Sequence, residues 1–372
     1  MAQFDYIVKF GATYGSWTTA TNVQNVTMNI GRRKQLDQYN ADTASVTIRY
    51  PTGYASPDAL FVVDTWVVIY GELSGATAPS QPLFTGRISD VNVQYGIPYV
   101  SSVGNADYVT LSCEGLFAAL GRAQGNSYSM AADTWHNQTS TMLTQTGINC
   151  IAALSYGGQK QMSATTISNT WADWVNKTLL SVNGRIATSG SNQVLFDYSY
   201  NSIASFGNFS DTTNNATNHA YNQIEFSGFA DNYYTQVTVS PEGFSSATVQ
   251  TGSAPYRTLF TNTLNASTAQ ATDLANFLLA TYKTATLAIS AITCNLNMQQ
   301  GQFPPYGNFF IGEQVSILFR GTTYNCIIEG STWSGTPNES NVTYYVSGAD
   351  LNNVLILDNT VYGKLDSNRL GY

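Results

Sequence analysis

Trp66-Val67-Val68-Ile69-Tyr70-Gly71, Leu83-Phe84-Thr85-Gly86-Arg87-Ile88 and Val109-Thr110-Leu111-Ser112-Cys113-Glu114-Gly115 follow one another in the first third of the chain. Near the other end stand Gln314-Val315-Ser316-Ile317-Leu318-Phe319-Arg320-Gly321, Cys326-Ile327-Ile328-Glu329-Gly330-Ser331-Thr332 and Val342-Thr343-Tyr344-Tyr345-Val346-Ser347-Gly348. Each series has an alternating strand that ends on Gly, a strand that crosses a Gly, and a strand that closes on Gly. This predicts an internal repeat. A Gly inside the middle strand predicts a bulge or sharp bend, as the corner of a small barrel needs. Any two β-meanders share something of this pattern; a true repeat is the favoured reading.

Working outward, Val23–Ile30 and Ala44–Tyr50 show the period-two alternation of half-buried strands. Gly115–Arg122 turns helical, and composition shifts near residue 123. Helices are expected over Asp133–Thr144, Thr170–Val182 and Ser267–Thr281. In the second, Trp171, Trp174, Val175, Leu179 and Val182 share one face, Asn169 or Thr170 can cap the start, and Gly184 is placed to end it. In the third, Ser267 is the candidate cap and Ala271, Leu274, Ala275 and Leu278 face inward. The stretch Asn201–Asn218 is rich in Ser, Asn and Thr and reads as a long surface loop. The expected fold is mainly β with an α+β insertion: two tube-like β-barrel domains related by the repeat, plus a helical lobe. The expected division is 1–122, first tube-like domain; 123–205, inserted lobe; 206–349, second tube-like domain; and 350–372, C-terminal extension.

Composition narrows the function classes. Of 372 residues only 10% are charged, against about 25% in an ordinary globular domain, and 24 are Tyr. A polar but nearly uncharged surface suits permanent assembly, because neutral polar groups cost less to bury than charges. The net charge of −8 excludes the basic footprint of a nucleic-acid binder. An acidic or neutral channel would still let DNA slide without sticking. The longest basic cluster, Arg32-Arg33-Lys34, reads as a solvated loop. The N-terminal residues carry no signal-peptide pattern, and no apolar run is long enough to span a bilayer. Cys113, Cys150, Cys294 and Cys326 have no metal spacing; Cys113, Cys294 and Cys326, in strand-like apolar runs, read as reduced core residues.

The segment Ile30-Gly31-Arg32-Arg33-Lys34-Gln35-Leu36-Asp37-Gln38-Tyr39-Asn40-Ala41-Asp42-Thr43-Ala44-Ser45-Val46-Thr47-Ile48 resembles the opening of minor tail proteins of long-tailed phages. There a Gly-Arg turn, an acidic and aromatic loop and an "A-G-T-A-T-V-T-L"-like strand recur. Leu83–Ile88 looks like the "L-F-T-G-x-V" strand of the same family, and Trp333–Pro337 and Val354–Asp358, ending in Gly363–Gly371, look like its C-terminal region. The family is similar in architecture to baseplate-hub proteins of contractile tails. The resemblance implies two tube-like barrels around an α/β lobe, and a trimer below the tail tube. Three copies of a duplicated chain make a ring of six β-domains.

Patterns for chemistry are sparse. His136 and His219 have no partner at metal-ligand spacing. Glu225, Asp231 and Glu242 lie near one another among aromatic residues, the minimum a glycosidase would need, but read as acids at strand ends. No nucleophile elbow, phosphate loop or dinucleotide motif is present. The expectation is a non-enzymatic tail-tip hub without cofactor or metal. Its partners would be two further copies of itself and neighbouring tail proteins, with DNA passing through the lumen without specific binding and no insertion into a membrane. It would be made in the host bacterial cytoplasm and carried in the virion. A hexameric distal tail protein and a carbohydrate-binding or glycan-hydrolysing β-protein are the rival readings. Leu365, Leu370 and Tyr372, apolar residues in a polar extension, are the candidate subunit-interface residues.

Overall fold

The computed structural model describes residues 4–50, 61–73, 82–96, 106–148, 151–154, 160–189, 193–198, 207–215, 217–227, 233–283, 288–299 and 311–348. The chain opens with β1 (Phe4–Gly11), β2 (Thr18–Thr19), β3 (Val23–Gly31), β4 (Thr43–Tyr50), β5 (Trp66–Leu73), β6 (Phe84–Gln94) and β7 (Asp107–Gly115). Helix α1 (Phe117–Arg122) leads to a lobe of β8 (Tyr128–Met130), β9 (Asp133–Thr134), α2 (Trp135–Thr146), β10 (Ile151–Leu154), β11 (Gln161–Met162), β12 (Thr165–Ile167), α3 (Trp171–Val182), β13 (Gly184–Ser189) and β14 (Gln193–Tyr198). Then come β15 (Gly207–Ser210), β16 (Asn218–Ala220), β17 (Gln223–Ser227), β18 (Gln236–Pro241), β19 (Ala247–Gln250), β20 (Thr258–Thr263) and α4 (Thr268–Tyr282). The last strands are β21 (Ala288–Asn295), β22 (Gln314–Phe319), β23 (Thr322–Gly335) and β24 (Ser340–Gly348).

The repeat is visible in the hydrogen-bond ladders. One half runs β1-β5-β6-β7-β4-β3 across the sheet; the other runs β15-β22-β23-β24-β21-β17. The middle strand of each is bulged, between Ile88 and Asp90 in β6 and between Ile328 and Gly330 in β23. This sets Ser89 equivalent to Glu329, and the rest follows in register. Ile88 N–H donates to Thr65 O and Asp64 N–H to Ile88 O; Ile328 N–H donates to Glu313 O and Gly312 N–H to Ile328 O. Asp64 and Gly312 both have positive φ, 70° and 93°. The hydroxyl pair Thr47–Thr110, 3.3 Å apart, recurs as Thr293–Thr343 at 2.8 Å. One strand departs from the symmetry: β15 lies parallel to β22, whereas β1 is antiparallel to β5.

The glycines expected to mark the bulges are not equivalent. Gly86 faces Gly115 and corresponds to Cys326; Gly330 sits beside the bulge, not in the place of Gly86. Each is Gly because another backbone lies too close for a Cβ. At Gly86 that atom would stand 2.3 Å from Glu114 O, and at Gly330 it would stand 2.4 Å from Arg32 O.

The two halves are fused edge to edge, because the second half of β23 pairs antiparallel with β3, from Gly330–Gly31 to Gly335–Val26. One apolar core therefore runs under both, with Val26, Met28, Ile69, Ile88, Ile317 and Trp333 among its members. The lobe has a second core around Trp135, Met142, Trp174 and Leu179. The third lies between α4 and the small sheet β19-β18-β20, on Val237, Val239, Ala271 and Leu278. All the inward residues expected on α3 and α4 are buried. Thr170 caps α3 in a full capping box, and Ser267 caps α4. Asn183, left-handed at φ 52°, ends α3 in the role expected of Gly184, which opens β13 instead. The loop expected over Asn201–Asn218 contains β15. Pairing to β22 and burial of Phe209 make a strand of a segment too polar to show one.

Gly330→Ala is expected to cost about 1–3 kcal/mol, because the obstructing atoms are backbone. Gly348→Ala, with nothing within 4 Å of the added carbon, serves as the neutral control. Denaturant midpoints compare the two; equal midpoints would mean that the β3–β23 contact yields freely.

Candidate functional site

Where the two halves meet, the segment Arg32–Asp42 between β3 and β4 is tied to the second repeat, to the lobe and to α4. Gly31 N–H donates to Asp42 Oδ1 at 2.9 Å and closes the base of the loop. The bulge turns Glu329 into the interior, where it is fully buried. Its carboxylate accepts from Arg32 Nε at 2.9 Å, Arg185 Nη2 at 2.6 Å and Ser347 Oγ at 2.6 Å. Arg32 N–H also donates to Glu329 O, and its guanidinium lies 4.6 Å from the centre of the Tyr39 ring. Tyr39 N–H donates to Asn176 Oδ1 and Asn176 Nδ2 donates to Tyr39 O, which docks the loop on α3. Gln35 joins Asn183 to the hydroxyl of Tyr282 on α4. Arg32 is thus a buried junction residue, not the solvated one expected; Arg33 and Lys34 remain exposed.

Burial alone would raise the Glu329 pKa. The charges of Arg185 and Arg32, with hydrogen bonds from Arg185 and Ser347, outweigh it and hold the carboxyl at about 2. Two cations face one anion, so stacking on Tyr39 offsets part of the excess positive charge.

The second feature is the wet face of the continuous sheet β6-β7-β4-β3-β23-β24-β21-β17. Opposite the core it carries Thr27, Ser45, Thr47, Thr110, Thr293 and Thr343, all hydroxyls. Asn29 adds an amide, which accepts from Thr332 Oγ1 at 3.0 Å across the β3–β23 junction. The face is hydrophilic with few charges and offers little to hold a polyanion.

A third feature is a cleft of about 640 Å³ between the Arg32–Tyr39 segment, α3 and β20. Phe260, 59% exposed, forms one wall. The Lys177–Glu242 ion pair stands at its rim.

The duplicated sheet with a helical lobe has solved counterparts. The tail protein from Neisseria meningitidis MC58 superposes with a TM-score of 0.64 at 13% identity, over 93% of this chain and 97% of that one. The 43 kDa tail protein of prophage MuSo2 from Shewanella oneidensis gives 0.62 at 11%, over 93% and 98%. The fold is that of phage tail proteins. The E. coli c3393 protein, a type VI secretion component described as structurally similar to T4 tail proteins gp27 and gp5, gives 0.56 at 10%, over 92% and 77%. No family model and no curated protein sequence matches the chain.

Within this tail-protein fold the residues singled out for chemistry do not converge. His136 is exposed on α2; His219 is buried against Phe209, and burial pushes its pKa down to about 4. Glu225 lies on β17, whereas Glu242 follows β18 in another sheet and binds Lys177 and Thr165. Asp231 lies outside the described residues. Among the described residues no cluster of three or more His, Cys, Asp or Glu is placed to hold a metal, and no helix is long and apolar enough to cross a membrane. Cys113, Cys294 and Cys326 are buried and free; burial raises all three thiols, Cys113 and Cys326 to about 12. Cys150, Leu365, Leu370 and Tyr372 lie outside the described residues. The junction itself went unseen in the sequence. Its one signal is Glu329, a lone acid directly after the apolar run Cys326–Ile328 in the middle of a strand.

Glu329→Gln is expected to cost about 3–5 kcal/mol, because it strands two buried guanidiniums. The pH dependence has a defined sign. The folded pKa lies below the ordinary 4.5, so ionised Glu329 adds stability above pH 4.5 that is lost as pH falls towards 2. Unfolding free energy should slope downward across that interval in the native chain, and less steeply in Glu329→Gln. Equal slopes would show that Glu329 is not held ionised.

Proposed function

We propose that the protein is a structural component of a phage tail tip, a hub that forms a ring below the tail tube. Three copies would place six similar β-units around an axis, matching a six-fold tube above and a three-fold tip below. Heterologous contacts that close give such rings. The observation that carries this reading is the duplication: one six-strand order occurs twice in one chain, fused through β3 and β23. A chain with one such unit would need six copies to do the same. The similarity of the c3393 protein to T4 gp27 and gp5 supports a place at the baseplate. The hydroxyl-rich face of the sheet would line the bore, so that DNA passes by water-lubricated contact and binds nowhere specifically. The protein would be assembled in the host cytoplasm, act without catalysis, and contact tube and tip proteins through its two ends.

The proposed division is the one read from the sequence, 1–122, 123–205, 206–349 and 350–372. The C-terminal extension would reach a neighbouring copy and dock Leu365, Leu370 and Tyr372 there.

Two measurements test this. Light scattering after gel filtration, over a range of concentrations, should give the mass of a trimer. A hexamer would point instead to a distal tail protein, and a monomer throughout would overturn self-assembly into a ring. Truncation after Val361 should leave the unfolding midpoint unchanged and weaken assembly; undiminished assembly would remove the extension from the interface.

A further inference from the structure

Among the described residues, the junction inside the chain has a counterpart that no strand fills. β3 is covered on its outer edge by the second half of β23. By the repeat, β17 is the equivalent of β3 and β6 is the equivalent of β23. Yet among the described residues β17 pairs only with β21, and the second half of β6 pairs only with β7. One chain therefore carries one satisfied junction and the two unmatched halves of a second, at opposite ends of the same sheet. Unpaired strand edges are templates for another strand.

The equivalences set a register. Asp90 of β6 stands where Gly330 stands in β23, so Asn92, Val93, Gln94 and Tyr95 take the places of Thr332, Trp333, Ser334 and Gly335. In the same way Ile224, Glu225, Phe226 and Ser227 take the places of Val26, Thr27, Met28 and Asn29. The side chains then match pair by pair. Met28 against Trp333, both buried, becomes Phe226 against Val93, both half-exposed. Val26 against Gly335 becomes Ile224 against Tyr95, and Tyr95 is 58% exposed. Thr27 against Ser334 becomes Glu225 against Gln94, both on the wet face. The Asn29–Thr332 amide–hydroxyl bond becomes Asn92 against Ser227, with the two groups exchanged.

We infer that β17 of one copy adds antiparallel to β6 of the next, with Phe226 opposite Val93 and Ile224 opposite Tyr95. The inference rests on the ring reading and names the surface that closes it. The occupant is a second copy of this chain, because the only strand shown to fit such an edge is this chain's own. Closing a ring in this way makes the wet face one uninterrupted barrel. Three copies contribute about twenty-four strands, more than the sixteen to eighteen that already leave an aqueous channel.

The test is Gln94→Cys with Glu225→Cys. Both side chains are exposed, so neither change disturbs the core. Antiparallel partners stand about 4.5–5.5 Å apart at Cα, within disulfide range. After mild oxidation, the double variant should run as covalent dimers and trimers on a non-reducing gel. Mixed single variants should give a dimer, and each alone no more than the native chain with its own cysteines. A particle of trimer mass without this cross-link would overturn the seam and leave the ring standing. A cross-link confined within single chains would also overturn it. A chain that stays monomeric in solution and forms no cross-link would remove the ring and the seam together.

Discussion

The ladder between β3 and β23 is the constraint on which the rest of the molecule depends. It turns two repeats into one sheet and gives Met28 and Trp333, distant in sequence, a common core. A slip of one residue would send every side chain of the joining strands to the wrong face. The bulge at Glu329 opposes that slip. It aims a carboxylate at two guanidiniums, one from the first repeat and one from the lobe, which only the observed register brings within hydrogen-bond distance. Such a cluster adds little net stability over an apolar replacement, since desolvation of three charges offsets their attraction. It makes wrong registers costly, because each would strand a buried charge. The equivalent bulge residue in the first repeat is Ser89, which only donates to Ser112 O. The two bulges of the repeat thus differ in kind: Glu329 is held by two buried charges, whereas Ser89 makes a neutral hydrogen bond.

The same segment explains how the lobe is positioned. Arg32–Asp42 meets α3 through Tyr39 and Asn176, and α4 through Gln35 and Tyr282. Loop backbone that would otherwise need water finds partners in side-chain amides. The lobe also meets the sheet through Arg185, which lies on β13 just after α3, and through an apolar core that includes Trp66 of β5.

The low charge content acquires a reason in the structure. A sheet with an apolar core on one side and a wet face on the other needs polar residues that sit side by side without mutual repulsion. Thr and Ser supply this and favour extended backbone. The cross-strand hydroxyl pairs at Thr47–Thr110 and Thr293–Thr343 show the same device at equivalent positions of both repeats.

Much of this was legible in the residues. Strand alternation, the inward faces of α3 and α4, the Thr170 and Ser267 caps and the existence of a repeat follow from local patterns, because period and capping are properties of neighbouring residues. The resemblance of Ile30–Ile48 to phage tail proteins pointed at the fold but not at the junction, since Arg32 read as part of a solvated loop. What tertiary structure decided is everything that depends on contact between distant residues. β15 is a strand only because β22 lies beside it, and Asn183 rather than Gly184 ends α3. The bulges align Ser89 with Glu329 although the glycines suggested another match. Arg32 is buried because Glu329, nearly three hundred residues away in the chain, needs its charge. Local sequence carries propensity; the partner that satisfies a buried charge or an open strand edge is chosen only when the chain has folded.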